Sequence, residues 1–204
     1  REHSEKYLNK SFSNSNTECD NNDSLEEKIK VLHNIESSGI KFILSDYSNS
    51  MIEKDIDPEE FIQIRAYRAP ENILGYGYNR LSEVWAVGCI LWDLITFENL
   101  FDITTLQNTP LDRDREQLAN MEQYLGKINK DMSLECPRSF ELYEDNGKII
   151  KNKKVVRKSI EIKLRELRPD LSDIEVSEIC SIMSEIWNYN YLKRISVTDL
   201  LKHP

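Results

Sequence analysis

The chain of 204 residues is 39% hydrophobic and carries a formal net charge of −9, enough apolar material for one core and one principal domain. That acidic balance argues against direct nucleic-acid binding, because phosphate backbones are neutralised by clustered Lys and Arg; a basic protein partner fits better. Cys19, Cys89, Cys136 and Cys180 are scattered without metal-ligand spacing and read as free thiols of a reducing compartment, and the longest apolar run, residues 84–95, is too short for a bilayer and contains Asp93.

Residues 1–23 are rich in Ser, Asn, Asp and Glu, too polar to offset the entropy of ordering, and are expected to be disordered. Ser24 and Glu27 form a capping-box pattern ahead of Leu25, Ile29, Leu32 and Ile35, which predicts a short helix over residues 24–39 ending at Gly39. Residues 40–44, Ile-Lys-Phe-Ile-Leu, read as a short strand that delivers Asp46 to the polar turn Ser45-Asp46-Tyr47-Ser48-Asn49. A dense block, IQIRAYRAPENILGYGYN, follows, and its Pro70 and tyrosines suggest a packed loop.

Ser82 is placed to cap a helix beginning at Glu83 and running VWAVGCILWDLIT, apolar on nearly every side, as in a helix buried at the centre of a domain. Leu118, Met121 and Leu125 predict another helix ending at Gly126. Ser172 with Glu175 caps a third through Ile174, Ile179, Ile182, Met183 and Ile186. Ser196 opens a last one bearing Val197, Leu200 and Leu201. The fold class expected is mainly α with a short β element.

Three motifs stand in one order: Asp46-Tyr47-Ser48 after the strand, Ala69-Pro70-Glu71, and Glu83-Val84-Trp85 opening the apolar helix. The order resembles that of protein kinases, whose D-F-G, A-P-E and D-x-W elements bound and support the activation segment. Arg194 stands in the position of the family's partner for the A-P-E glutamate. The resemblance covers residues 40–204 and implies a kinase C-terminal lobe running from the D-F-G turn to the last helix, with the N-terminal lobe absent. IQIRAYRAPE followed by GYGYN resembles SR protein kinases, while EQLANMEQYLG also resembles the neighbouring LAMMER kinases of the CMGC group. In SR protein kinases a variable insert precedes D-F-G, and residues 1–35 would be its tail.

The resemblance implies a role for each matching residue. Asp46, with Ser45 beside it, would bind the Mg²⁺ that bridges the β- and γ-phosphates of ATP. Tyr47 would be a packing ring. Ser48 replaces the glycine of D-F-G, a residue whose backbone angles serine reaches only at about 0.5–1 kcal/mol or more. Ile64, Arg65 and Arg68 would belong to the substrate-binding loop, Arg68 shaping the pocket after the phosphoacceptor; Ile64 replaces a threonine whose hydrogen bond it cannot make. Glu71 and Arg194 would pair structurally, Trp85 would be core, and Glu83 would stand for the aspartate that anchors the catalytic loop. Glu98, Glu116 and Glu122 would dock Arg-rich substrate segments, since guanidinium forks pair with carboxylates.

The sequence contains no Gly-rich phosphate loop, no V-A-I-K lysine and no H-R-D-x-x-x-x-N catalytic loop. The catalytic aspartate is therefore outside these residues, and the chain, which begins at Arg1, is expected to need an upstream N-terminal lobe. The expected function is part of a Ser/Thr protein kinase that transfers phosphate from ATP to serines of Arg/Ser-rich, splicing-type proteins in cytoplasm or nucleus. The alternative is a pseudokinase or peptide-docking module without catalysis, towards which Ser48, Ile64 and Glu83 lean.

Overall fold

The computed structural model describes Lys30, Ile43, residues 45–52, Asp55, Asp57, and residues 62–103, 109–151 and 156–203. The chain divides into two units after Tyr47. In the first, Lys30 is helical, Ile43 is exposed outside any strand, and Ser45 and Asp46 precede Tyr47, the first residue of a 3-10 turn, Tyr47–Asn49, that spans the division. The polar segment 1–23 lies outside the described residues. So do the helix of residues 24–39 and the strand of residues 40–44, apart from Lys30 and Ile43.

The second unit is helical. Its elements are α1 (Pro70–Leu74), α2 (Arg80–Thr96), α3 (Pro110–Leu125), α4 (Lys130–Leu134), α5 (Ser139–Leu142), α6 (Ile160–Leu167), α7 (Asp173–Ile186) and α8 (Val197–Leu200). Among the described residues the β content is one isolated bridge, Tyr143 to Ile149, closing the turn between them.

Helix α2 begins earlier than the Ser82 pattern suggests. Asn79 is its cap, accepting from the Leu81 amide at 2.8 Å, and the Ser82 hydroxyl accepts the Asn79 amide at 3.2 Å. Ser82 is thus the third helical residue, and its hydroxyl proton is available for another acceptor. Val84, Trp85, Cys89 and Trp92 face the core. Trp85 stacks on Phe101 with centroids 5.6 Å apart, Trp92 tilts against Trp187 at 5.9 Å, and Phe101 meets Trp187 edge-on at 5.1 Å. Such pairs contribute about 0.5–1.5 kcal/mol each beyond the area they bury.

Gly88 brings α2 against α7. A Cβ there would lie 2.3 Å from Ile186 Cγ2 and 2.8 Å from Trp187 Nε1, so the two helices approach only because the side chain is absent. The opposite side of α2 is open: Val87, Ile90 and Leu94 are 39%, 49% and 42% exposed. The expectation of a helix buried all round is corrected to one buried on a single broad face.

Helix α3 starts on Pro110 behind a Thr109 cap and stops at Gly126, whose φ of +96° a side chain would resist. Its inward residues, Asp114, Gln117, Leu118 and Met121, recur at helical spacing. Ser172 and Glu175 form the capping box of α7, and Ser196 caps α8. Cys89, Cys136 and Cys180 are free thiols, and no helix among the described residues is long and apolar enough to cross a membrane.

Candidate functional site: a braced loop and an exposed aspartate

The Glu71 carboxylate sits in α1 with no exposure, and Arg194, following the 3-10 turn at Tyr191–Lys193, meets it fork to fork. Nη1 donates to Oε1 at 2.7 Å and Nη2 to Oε2 at 2.8 Å. Arg194 also donates from Nη1 to the Leu81 carbonyl at 2.7 Å. Its Nε and Nη2 reach the Asn188 carbonyl at 3.2 and 3.0 Å. The Ser82 hydroxyl donates to Glu71 Oε1 at 2.6 Å, and the guanidinium carbon lies 5.2 Å from the Trp85 ring centroid. A buried charge pair is tolerated when its remaining hydrogen-bonding capacity is satisfied, and here the partners come from α1, α2 and the chain after α7.

The segment before α1 is held by a second set of contacts. Arg68 is 7% exposed and points into its own loop, donating from Nε to the Ile62 carbonyl at 3.1 Å and from Nη2 to the Gln63 carbonyl at 3.0 Å. Burial, then the positive charge of Arg65, pushes the Arg68 guanidinium below its ordinary pKa. Gln63 lies at φ +69°, a left-handed conformation that costs a non-glycine residue about 1–2 kcal/mol; the Arg68 bond to its carbonyl helps to hold it there. Arg65 pairs with Asp114 of α3, which also meets Arg138 at 3.0 Å, and Gln117 donates to the carbonyls of Arg65 and Arg68. Tyr67 donates to Asp93 of α2 at 2.7 Å; burial raises the Asp93 pKa, and that hydrogen bond raises the tyrosine's.

Of the three residues assigned to the substrate-binding loop, therefore, only Ile64 faces outward, at 74% exposure. Arg65 and Arg68 brace the segment from inside, because Asp114 and the loop carbonyls capture their guanidinium groups. Sequence reasoning missed Asp114, Gln117 and Arg138. The signal for Asp114 and Gln117 was present: both share the apolar stripe of Leu118 and Met121, where an unpaired polar group would be costly.

The three glutamates assigned to docking differ in exposure and in their partners. Glu98 is half exposed and pairs with Lys163 of α6 at 2.9 Å. Glu116 is half-buried on α3. Glu122 is 7% exposed, and its carboxylate accepts the Ile128 amide at 3.3 Å. Burial raises the pKa of Glu122, opposed by that amide and by Lys127. Glu122 is corrected from a docking acid to an internal one, since it lies on the core side of α3. Glu83, in the first turn of α2, is exposed.

Asp46 is exposed and adopts φ +63°, the left-handed region that aspartate enters more readily than most residues. Ser45 beside it is also exposed. Ser48 lies inside the 3-10 turn and is not among the positive-φ residues, so the strain expected from replacing glycine does not arise: the left-handed angle falls on Asp46. Tyr47, 62% exposed, opens that turn. No group of three potential metal-binding side chains occurs among the described residues. An exposed carboxylate fits Mg²⁺ carried by a nucleotide, because that ion keeps several waters and takes one or two carboxylates plus phosphates.

The motif order, the Glu71–Arg194 pair and the braced loop before α1 are joined by a comparison with known families: the protein kinase domain matches residues 40–204. The chain belongs to the protein kinase family. Its kinase relatives fall in the CMGC group. They include Serine/threonine-protein kinase AFC2 of Arabidopsis thaliana, 30% identical over 174 residues, covering 82% of this chain and 38% of that protein. Dual specificity protein kinase CLK1 of Homo sapiens is 25% identical over 202 residues, with 86% and 40% coverage. Serine/threonine-protein kinase spk-1 of Caenorhabditis briggsae is 27% identical over 143 residues, with 70% and 12% coverage. The kinase sequence described here thus spans about two fifths or less of the length of these relatives.

Proposed function

We propose that this chain is the C-terminal-lobe part, residues 40–204, of a Ser/Thr protein kinase that phosphorylates serines in basic, Arg/Ser-rich proteins. The observation that carries the reading is the buried Glu71–Arg194–Ser82 cluster. It fixes α1 to the central helix and so sets the position of the loop that precedes α1. Arg68, Gln117 and Asp114 then hold that loop's backbone from inside, leaving Ile64 outward. A rigid loop of this kind suits phosphoryl transfer, in which the protein chiefly positions its reactants and stabilises developing charge.

Asp46, with Ser45 next to it, would hold Mg²⁺ in this scheme. Held there together with ATP, the ion would supply positive charge against the negative charge of the phosphates. The general base, the nucleotide-contacting lysine and the second metal ligand come from residues outside this sequence, in an N-terminal lobe and catalytic loop of the full gene product. SR protein kinase-like specificity is favoured by the IQIRAYRAPE and GYGYN runs and by the net charge of −9, with Glu98 and Glu116 as the remaining docking acids. The cytoplasm or nucleus would supply such substrates and keep the thiols reduced.

A second reading, a pseudokinase that docks basic peptides without chemistry, is favoured by Ile64. It is exposed where the resemblance implies a hydrogen-bonding threonine. Phosphate incorporation from ATP into an Arg-Ser repeat peptide by the full gene product decides between the two. The kinase reading expects incorporation that falls roughly a hundredfold or more in Asp46→Ala, as when an electrostatic stabiliser is removed. Peptide binding without incorporation would favour the docking reading.

A further inference from the structure

A cavity of about 600 Å³ lies within the second unit, between the end of α3, the start of α4 and the chain that follows α7. The volume is in the range of pockets that bind a ligand or a short peptide segment. Its charged lining is Lys127 and Lys193, and no Asp or Glu lines it, although acids outnumber Lys and Arg 36 to 27 in the chain. Neither lysine forms an ion pair among the described residues, whereas Lys158, Lys163 and Lys202 each do. Glu122, the acid whose field reaches Lys127, is buried on the Ile128 amide.

The neutral polar lining points the same way. Asn129 Oδ1 accepts the Asp131 amide, Asn188 Oδ1 the Asn190 amide, and Asn190 Oδ1 the Leu192 amide, each at 3.0 Å. Backbone N–H donors fix which amide atom is oxygen, so all three side-chain oxygens are engaged in local turns and the NH₂ groups are left as donors. Tyr76 and Tyr189, which also line the cavity, donate their phenol protons to the carbonyls of Met132 and Gly126. These bonds hold the aromatic walls in place. A lining of two ammonium groups and three amide donors, without a carboxylate, calls for a ligand that is anionic and rich in acceptors.

We infer that this cavity binds a phosphoserine- or phosphothreonine-bearing protein segment. A phosphate carries close to two negative charges and three acceptor oxygens, more than one carboxylate offers. Lysines act on it as point charges, whereas planar carboxylates are matched best by the arginine fork that this cavity lacks. Lys127, Asn129, Asn190 and Lys193 are exposed, so the cavity is open along one side, as a chain segment passing through it requires. Leu125 and Met132 supply apolar lining for the residues that flank the phosphate.

Fluorescence anisotropy of the full chain with a labelled phosphoserine peptide tests this, beside the same peptide carrying Ser or Asp in that place and beside free phosphoserine as competitor. The phosphopeptide binds, the Ser form does not, and the Asp form and free phosphoserine are at least about tenfold weaker. Lys127→Glu with Lys193→Glu removes binding while circular dichroism shows the variant folded. Should that double variant fold poorly, Lys127→Gln with Lys193→Gln reads the same loss. Equal binding of the phosphorylated and Ser peptides, undiminished binding in the folded variants, or free phosphoserine competing as well as the peptide would overturn the inference. The readout is binding, so it stands or falls independently of phosphate transfer.

Discussion

Arg194 has five N–H groups, and the five hydrogen bonds it donates, to Glu71, Leu81 and Asn188, engage them all. Replacing it by methionine leaves the Glu71 carboxylate buried and without its counter-charge, which typically costs about 3–5 kcal/mol. Urea denaturation should show that loss. Arg194→Lys should recover only part of it, since an ammonium keeps the charge but has three donors and no planar fork. Glu122 gives a pH-dependent counterpart. Burial raises its folded pKa above the unfolded one, so between those values the folded state binds more protons. Its contribution to stability is full below the unfolded carboxylate pKa and is lost as pH rises through the folded pKa. Glu122→Gln, whose amide oxygen can still accept the Ile128 amide, should flatten that fall, so urea midpoints from pH 4 to 8 should decline less in the variant.

At the scale of elements, the packing of α2 on α7 depends on one missing side chain. Gly88→Ala would place its Cβ against Ile186 and Trp187 and should destabilise by about 1–3 kcal/mol, as overpacking does, again read from the urea midpoint. Ile186→Ala added to it should recover part of the loss if the clash is the cause. Helix ends with local signals were legible: Ser172 and Glu175, Ser196 and Gly126 cap or stop helices where their chemistry says they should. The start of α2 was not, because Ser82 looks like a cap in sequence while its hydroxyl lies between the Asn79 amide and Glu71. Nor was the open side of α2, since Val87, Ile90 and Leu94 are as apolar as the residues facing the core, and periodicity cannot separate two faces of similar hydropathy.

For the molecule as a whole, the family was legible from motif order. The wiring behind the loop was not, because Arg65 meets Asp114 and Gln117 reaches the Arg65 carbonyl across 49 and 52 positions of sequence, and a composition window holds no record of such pairings. Arg65, Arg68 and Glu122 are charged and would each read as exposed, but Arg65 is captured by Asp114 from far along the sequence, and Arg68 and Glu122 by backbone groups of nearby residues. The proposed function asks two things of the chain, a loop held rigid from inside and a metal-binding carboxylate at Asp46. The most direct test is the affinity of the full gene product for ATP, measured by calorimetry with and without Mg²⁺, in the natural sequence and in Asp46→Asn. The account predicts that Mg²⁺ tightens ATP binding in the natural protein and that the substitution abolishes the tightening; the same Mg²⁺ dependence in both proteins would contradict it.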